Sequence, residues 1–215
     1  SGLSFRRASR ALGAAMRRSH TSIWKWVHRY SPVLGSFDVD RGSVRSIFID
    51  ETMVNLGGTP AWIWVAFEPD LRAMLGFHAS WRGNSIDAYL FVRRPVRRYG
   101  RGRVTIYTDG AGWCADACRW ANVEHVVYDR PLRNPMERIN QYVKEGTESF
   151  DDLYPVRRRG PSFERILSWL SGYKFLHNYV LTNSDMGRAP LEWNPPPWLE
   201  GVGLASALSW IVSLG

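Results

Sequence analysis

Two apolar runs that each close on an aspartate constrain this chain more than any other feature. Arg45-Ser-Ile-Phe-Ile-Asp50-Glu-Thr52 is entered from Gly42 and Ser43 and reads as a buried strand ending on Asp50. Arg103-Val-Thr-Ile-Tyr-Thr-Asp109-Gly110 repeats the design, with a glycine turn after the acid. A carboxylate at the end of a buried strand is costly unless a metal or a basic partner offsets its charge. A third acid, Glu137 in Asn134-Pro-Met-Glu137-Arg138, opens a predicted helix. Two strand-end aspartates and a helical glutamate are the constellation expected of a two-metal phosphoryl-transfer site.

The elements around these acids have a definite order. Ser46 to Asp50, Ala61 to Glu68 and Arg72 to Ala79 are predicted strands, with turn signals at Asn55 to Pro60 and at Pro69-Asp70. Loops this short imply antiparallel neighbours, and Trp62 and Trp64 share a face. Asn84 to Tyr99 is a predicted helix that Pro95 interrupts or kinks. A strand over Arg103 to Thr108, a helix over Ala111 to Ala121 and a short strand over Glu124 to Tyr128 follow. Three antiparallel strands, then helix, strand, helix, strand, match an α/β fold of ribonuclease-H-like type: a mixed sheet with helices on both faces. A helix from about Pro135 to Thr147, an amphipathic helix from Ser162 to Tyr179, and a short last helix over Leu204 to Leu214 complete the chain.

Ahead of the sheet, Phe5 to Met16 and Thr21 to Tyr30 read as two helices broken at Arg18-Ser19-His20, with Ser31 to Gly42 as a linker. Basic and hydroxyl residues open the second helix, as in a helix-turn-helix, where that end meets bases and phosphates. The plainer reading is a helical hairpin with Ile23, Trp24 and Val27 in its core. The division that follows is a helix-turn-helix-like segment at 1–35, the α/β domain at 44–180 and a helical tail at 181–215.

The formal net charge of +8 favours a polyanionic partner, with nucleic acid the commonest, and 45% hydrophobic residues exclude wholesale disorder. The candidate DNA contacts are Arg17, Arg18, Ser19, His20, Thr21 and Lys25 in the opening segment, Arg82 after the third strand, and the run Arg157, Arg158, Arg159. Cys114 and Cys118 fall on one helix face without a second Cys/His pair, so a buried reduced pair is expected rather than zinc, and it suits a cytosolic protein. No apolar run approaches the ~20 residues of a membrane span, so no membrane partner is expected. The start lacks the apolar core of a signal peptide, and it opens on Ser1 rather than methionine, as a processed or partial chain does.

Each acid also has a plainer reading. Asp109-Gly110 is a common turn pair, Glu137 is favoured in a first helical turn by the dipole alone, and Glu51 sits beside Asp50. His125 is either a phosphate contact or structural, and Trp81-Arg82 either touches substrate or forms a surface cation–π pair.

The ordered set resembles a known family. Ile49-Asp50-Glu51-Thr52, Trp62-Ile-Trp-Val-Ala66, Arg82 with Ala88, Thr108-Asp109-Gly110 and Asn134-Pro-Met-Glu137-Arg138, with Lys144, Thr147 and Phe150 downstream, resemble the catalytic domain of DDE transposases of prokaryotic insertion sequences. The chain is most similar to the insertion-sequence-six group and its archaeal members. Leu3 to Val27 is similar to that group's helix-turn-helix, and His177 to Pro190 to its closing segment. Gly146 departs from the pattern, standing where a basic residue is common.

The resemblance implies a ribonuclease-H-like fold, two divalent ions (Mg²⁺ or Mn²⁺), and cut-and-join chemistry in which water and then a freed 3′-hydroxyl is the nucleophile. It implies Asp50, Asp109 and Glu137 as catalytic metal ligands, and Arg138 and Lys144 as further DNA contacts. The implied partners are double-stranded DNA (element terminal repeats and target) and a homodimer or larger assembly, in a prokaryotic cytoplasm at the nucleoid. Two alternatives stand beside this: a DNA-binding relic without turnover, and a ribonuclease-H-like or Holliday-junction nuclease that only hydrolyses.

Overall fold

The structure, a computed structural model, describes residues 20–56, 58–100, 104–128, 137, 153–154, 162–183, 186–192, 203 and 206. Its helices are α1 (His20–Gly35), α2 (Ser85–Tyr99), α3 (Gly112–Ala121) and α4 (Phe163–Tyr179), beside the helical residues Glu137 and Ser206. The sheet is built around β1 (Ser46–Leu56). β1 runs antiparallel to β2 (Thr59–Glu68), which runs antiparallel to β3 (Ala73–Ser80). On its other side β1 is parallel to β4 (Thr105–Thr108), and β4 to β5 (Glu124–Val127). The strand order is β3-β2-β1-β4-β5. Parallel neighbours need crossovers, and α2 and α3 supply them.

The two-residue period of β1 sorts its side chains into two cores. Ile47 and Ile49 join Trp64, Ala66 and Ile106 beneath Phe91, Val92 and Val96 of α2 and Cys114, Ala117 and Cys118 of α3. Phe48, Val54 and Leu56 join Ile63, Val65 and Phe67 beneath Ile166 and Leu170 of α4. Helices therefore cover both faces, as the strand order predicts. Burial pushes the Cys118 thiol up to about 12 and raises that of Cys114 further, so both stay protonated packing groups.

Helix ends follow their local chemistry. Asn84 caps α2 by accepting from the backbone N–H groups of Ile86 and Asp87, at 3.0 and 2.9 Å. Gly100, at φ +111°, ends it. α4 is joined to β3 through one side chain that imitates a strand: Asn178 accepts from the Met74 N–H at 2.8 Å and donates to the Met74 carbonyl at 2.9 Å.

Three expectations are corrected. The first strand does not stop at Asp50 but continues to Leu56, because Val54 and Leu56 keep alternating inward against β2. Pro95 does not interrupt α2, which runs through it to Tyr99, with Pro95 itself buried. Residues 31–42 are not a linker. α1 extends through Pro32 to Gly35, and Phe37 and Val39 are buried. Small residues make this possible: a Cβ on Gly35 would lie 2.8 Å from Ser171 Cβ, and one on Gly172 would lie 2.9 Å from Ser31 Oγ. The short strand β6 (Leu153–Tyr154), parallel to β1 at Asn55 and Leu56, was not expected. The predicted first helix at 5–16 lies outside the described residues, as do the 135–147 helix apart from Glu137 and the last helix apart from Ser206.

Where the chain leaves α1 it forms a half-buried polar junction. Asp38 is ion-paired with Arg98, lies 3.8 Å from Lys174 Nζ, and accepts from the Tyr99 hydroxyl at 2.9 Å. Lys174 donates to the Gly35 carbonyl at 3.0 Å, and the Tyr179 hydroxyl to the Asp38 carbonyl at 3.1 Å. α1, α2 and α4 are thereby fastened at one point.

Candidate active site

The parallel register of β1 and β4 brings two of the three acids together. Ser46 pairs with Thr105, Ile47 with Ile106 and Phe48 with Tyr107. The ladder ends there, and Asp50 and Asp109 each lie two residues further along, at the same end of the two neighbouring strands. Strands this close are about 4.8 Å apart. Both acids follow, by the strand alternation, the face of Phe48 and Tyr107, whose rings lie 4.9 Å apart. Asp50 sits within β1 and is half-buried, whereas Asp109 is exposed, one residue past the end of β4.

Local structure holds each acid. Asp50 Oδ1 accepts from the Glu51 N–H at 2.8 Å, and Asp109 Oδ1 accepts from the Ala111 N–H at 3.0 Å. Gly110 adopts φ +92° and lies so close to Val127 that a Cβ would come within 3.0 Å of Val127 Cγ1. The turn after Asp109 therefore requires glycine. The buried Thr108 hydroxyl accepts from the Gly110 N–H at 3.3 Å and bonds His125 Nε2 at 2.8 Å. His125 is thus a partner of the Asp109 turn, and its own burial lowers its pKa.

Glu51 is the residue whose part the sequence reading missed. It points away from Asp50, into the face of Ile47 and Ile49, where its Oε1 accepts from Trp113 Nε1 at 3.0 Å. Its Oε2 is buried and has no hydrogen-bond partner among the described residues. Burial, then the charge of Asp50, and further that of Asp109, push its carboxyl up to about 7 against the bond from Trp113. The available signal was the alternation itself, which puts a carboxylate in line with two isoleucines.

The remaining candidates are placed unevenly. Glu137 is helical and exposed, and among the described residues no three His, Cys, Asp or Glu side chains converge as a metal cage. Arg82 is exposed in the loop after β3, whose Ser80 pairs with Trp62 and so lies at the same end of the sheet as the acids. Thr21 and Lys25 are exposed on α1, and with Arg29, four residues further on, they form an outward stripe that the reading of the sequence had not completed. His20 begins α1. Arg17, Arg18, Ser19, Arg138, Lys144 and Arg157 to Arg159 lie outside the described residues.

The donor set suits a hard divalent cation: oxygen ligands from adjacent strands, crowded with like charge. Burial first, and then the charges of Asp50 and Asp109, raise the Glu51 carboxyl, so the aspartates act on it as like charges. The mixed sheet of order β3-β2-β1-β4-β5 with helices on both faces is a ribonuclease-H-like fold.

Residues 44–183 match the family model DDE_Tnp_IS240, described as a DDE domain, and the chain belongs to this DDE transposase family. It is therefore a DNA-acting polynucleotidyl transferase, and membership implies use of a divalent metal. Over 179 residues it is 27% identical to an uncharacterised protein of Methanocaldococcus jannaschii, covering 83% of this chain and 81% of that protein. The fold is also that of a chain in the simian T-cell lymphotropic virus intasome, solved in complex with a PP2A regulatory subunit: TM-score 0.51, 14% identity, 71% of this chain. The chain spans 56% of the length of that intasome chain. The HTLV-2 integrase catalytic core domain in complex with magnesium aligns at TM-score 0.47 and 12% identity, over 68% of this chain and 93% of that one. No described helix is long and apolar enough to cross a membrane.

Proposed function

We propose that this chain is the transposase of an insertion sequence of the insertion-sequence-six group, cutting DNA at element ends and joining the freed 3′-hydroxyl to target DNA. The observation that carries this reading is the parallel β1–β4 pairing, whose ladder ends at Phe48 and Tyr107, two residues before Asp50 and Asp109. Asp50, Asp109 and Glu137 would hold two Mg²⁺ or Mn²⁺ ions. When bound, such ions stabilise charge on the entering and leaving oxygens of an in-line displacement. The chain's own part is to fix two carboxylates at adjacent strands and to bring the scissile phosphate to them. The rigid strand holds Asp50, and the Gly110 turn presents Asp109 to solvent, where a phosphodiester can approach.

DNA is held by positive charge. The segment 1–35 acts as the DNA-binding unit, with Arg17, Arg18, Ser19, His20, Thr21, Lys25 and Arg29 on its contact face. Arg82, Arg138, Lys144 and Arg157 to Arg159 supply further phosphate contacts. Residues 44–180 are the catalytic domain and 181–215 a tail. Two or more copies bring two element ends together, in the cytoplasm at the nucleoid.

The test is Asp109→Ala in a strand-transfer assay with Mg²⁺. Loss of several kcal/mol of metal-borne stabilisation lowers the joining rate by about 10³-fold or more. DNA affinity stays level or rises slightly, since a negative charge facing phosphates is gone. Joining that survives the change overturns the reading. Cleavage without joining in the unmodified chain would mark a hydrolase instead.

A further inference from the structure

The two aspartates are anchored unequally. Asp50 lies inside an eleven-residue strand and is paired with Val65 across the β1–β2 ladder. Asp109 lies beyond its four-residue strand, and the β1–β4 ladder ends two residues earlier at Phe48 and Tyr107. The ladder therefore does not set the separation of the two carboxylates. On the outer side the Asp109 turn is tied to β5, through Thr108 with His125 and through the Tyr128 N–H on the Thr108 carbonyl at 2.9 Å. Its own turn leads directly into α3, with the Ala111 carbonyl accepting from the N–H groups of Cys114 and Ala115. A hydrogen bond returns from this first turn of α3 to β1 beside Asp50: Trp113 Nε1 to Glu51 Oε1, across 62 residues of sequence.

We infer that the Glu51–Trp113 hydrogen bond sets the distance between Asp109 and Asp50, making both residues positioning residues for the aspartate pair. The inference rests on the reading of Asp50 and Asp109 as metal ligands. Glu51 is not offered as a ligand: strand alternation turns it to the opposite face, under α3. Its neighbour on the sequence holds the cation, and Glu51 holds the helix that delivers the other ligand. Groups that orient ligands in this way change metal affinity by about 10- to 100-fold when removed.

Four variants of the full chain test this: Trp113→Phe, which deletes the indole N–H and keeps an aromatic ring; Glu51→Ala; Glu51→Gln, which keeps an acceptor oxygen; and the double variant Glu51→Ala with Trp113→Phe. The first readout needs no metal. Amide hydrogen exchange at Gly110 and Ala111 is expected to quicken about tenfold in Trp113→Phe and Glu51→Ala while α4 and β3 amides are unchanged, and to stay as in the parent in Glu51→Gln. The second readout is Mn²⁺ titrated into each protein with a DNA duplex present. Its Kd is expected to rise about tenfold in the first two variants, no further in the double variant, and hardly at all in Glu51→Gln. Unchanged exchange at Gly110 and Ala111 in Trp113→Phe overturns the inference, as do additive effects in the double variant. Asp50→Ala separates this failure from that of the underlying reading: Mn²⁺ affinity indifferent to Asp50→Ala sinks the ligand assignment itself, whatever Trp113 does.

Discussion

Two acid centres in this molecule, Asp38 and the Asp50–Glu51–Asp109 edge, are built on opposite principles. Asp38 is surrounded by complements: Arg98, Lys174 and the Tyr99 hydroxyl on its carboxylate, the Tyr179 hydroxyl on its carbonyl. At the edge, Asp50 and Asp109 act on Glu51 as like charges, and one buried Glu51 oxygen has no hydrogen-bond partner among the described residues. The first centre joins three helices and is a fastening. The second gathers acids at one edge of the sheet, the kind of oxygen donor that a hard divalent cation takes. The pKa directions separate them too. Asp50 and Asp109 act with burial to raise the Glu51 carboxyl, while at the junction Asp38 pulls Lys174 upward against a burial effect that still lowers it.

The sharpest way to break this comparison is to remove one acid from each. Asp38→Ala leaves Lys174 buried without its counter-charge and is expected to cost about 3–5 kcal/mol, read as a drop in the urea midpoint. Mn²⁺ affinity in whatever remains folded should not change. A smaller loss tests the crossing that the junction secures. Gly35→Ala drives a methyl group against Ser171, and overpacking of this kind costs about 1–3 kcal/mol, again by urea denaturation.

Asp50→Asn carries the opposite sign. It keeps a side-chain oxygen for the Glu51 N–H, removes one of the charges that raise Glu51, and is expected to stabilise the metal-free chain by about 1 kcal/mol while abolishing joining. A destabilised Asp50→Asn protein would mean that the edge, like the Asp38 junction, is a structural fastening.

The smallest effect concerns His177, which donates from Nε2 to the Arg72 carbonyl and is held neutral by burial, so its pKa lies below the ordinary value near 6.5. The unfolded chain takes up a proton here that the folded chain refuses. Stability from this group is therefore complete above about pH 6.5 and is lost as pH falls below it. His177→Gln should flatten that acid-side slope by at most about 1.4 kcal/mol per pH unit, measured as stability at pH 7, 6 and 5. An identical slope in variant and parent would show that His177 titrates alike in both states.

Much of this was legible from residues alone, because strand alternation and turn chemistry are local. The five strands, their order and the two helical crossovers follow from apolar periodicity and short loops. The aspartates stand out because acids rarely close apolar runs. What was misread depended on partners distant in sequence. Ser31 to Gly35 carries a proline and small residues and reads as a linker, yet it is helical because Ser171 and Gly172, far along the chain, leave room for it. The first strand was cut short at Asp50 because Asn55, Gly57 and Gly58 signal a turn and hide the inward Val54 and Leu56, which β2 completes. β6 has two residues, too few for any periodic signal.

The sequence by itself determined most of the parts: which segments form the five main strands, and which of them run toward an acid. Only the tertiary structure decided that Asp50 and Asp109 are neighbours, since a parallel register joins strands 59 residues apart and no local pattern encodes that offset. It also decided what Glu51 and Asp50, adjacent in the chain, meet on opposite faces of the sheet: Trp113 for Glu51, and for Asp50 the face of Phe48 and Tyr107. Backbone geometry alternates the side chains, but what waits on each face is set by packing.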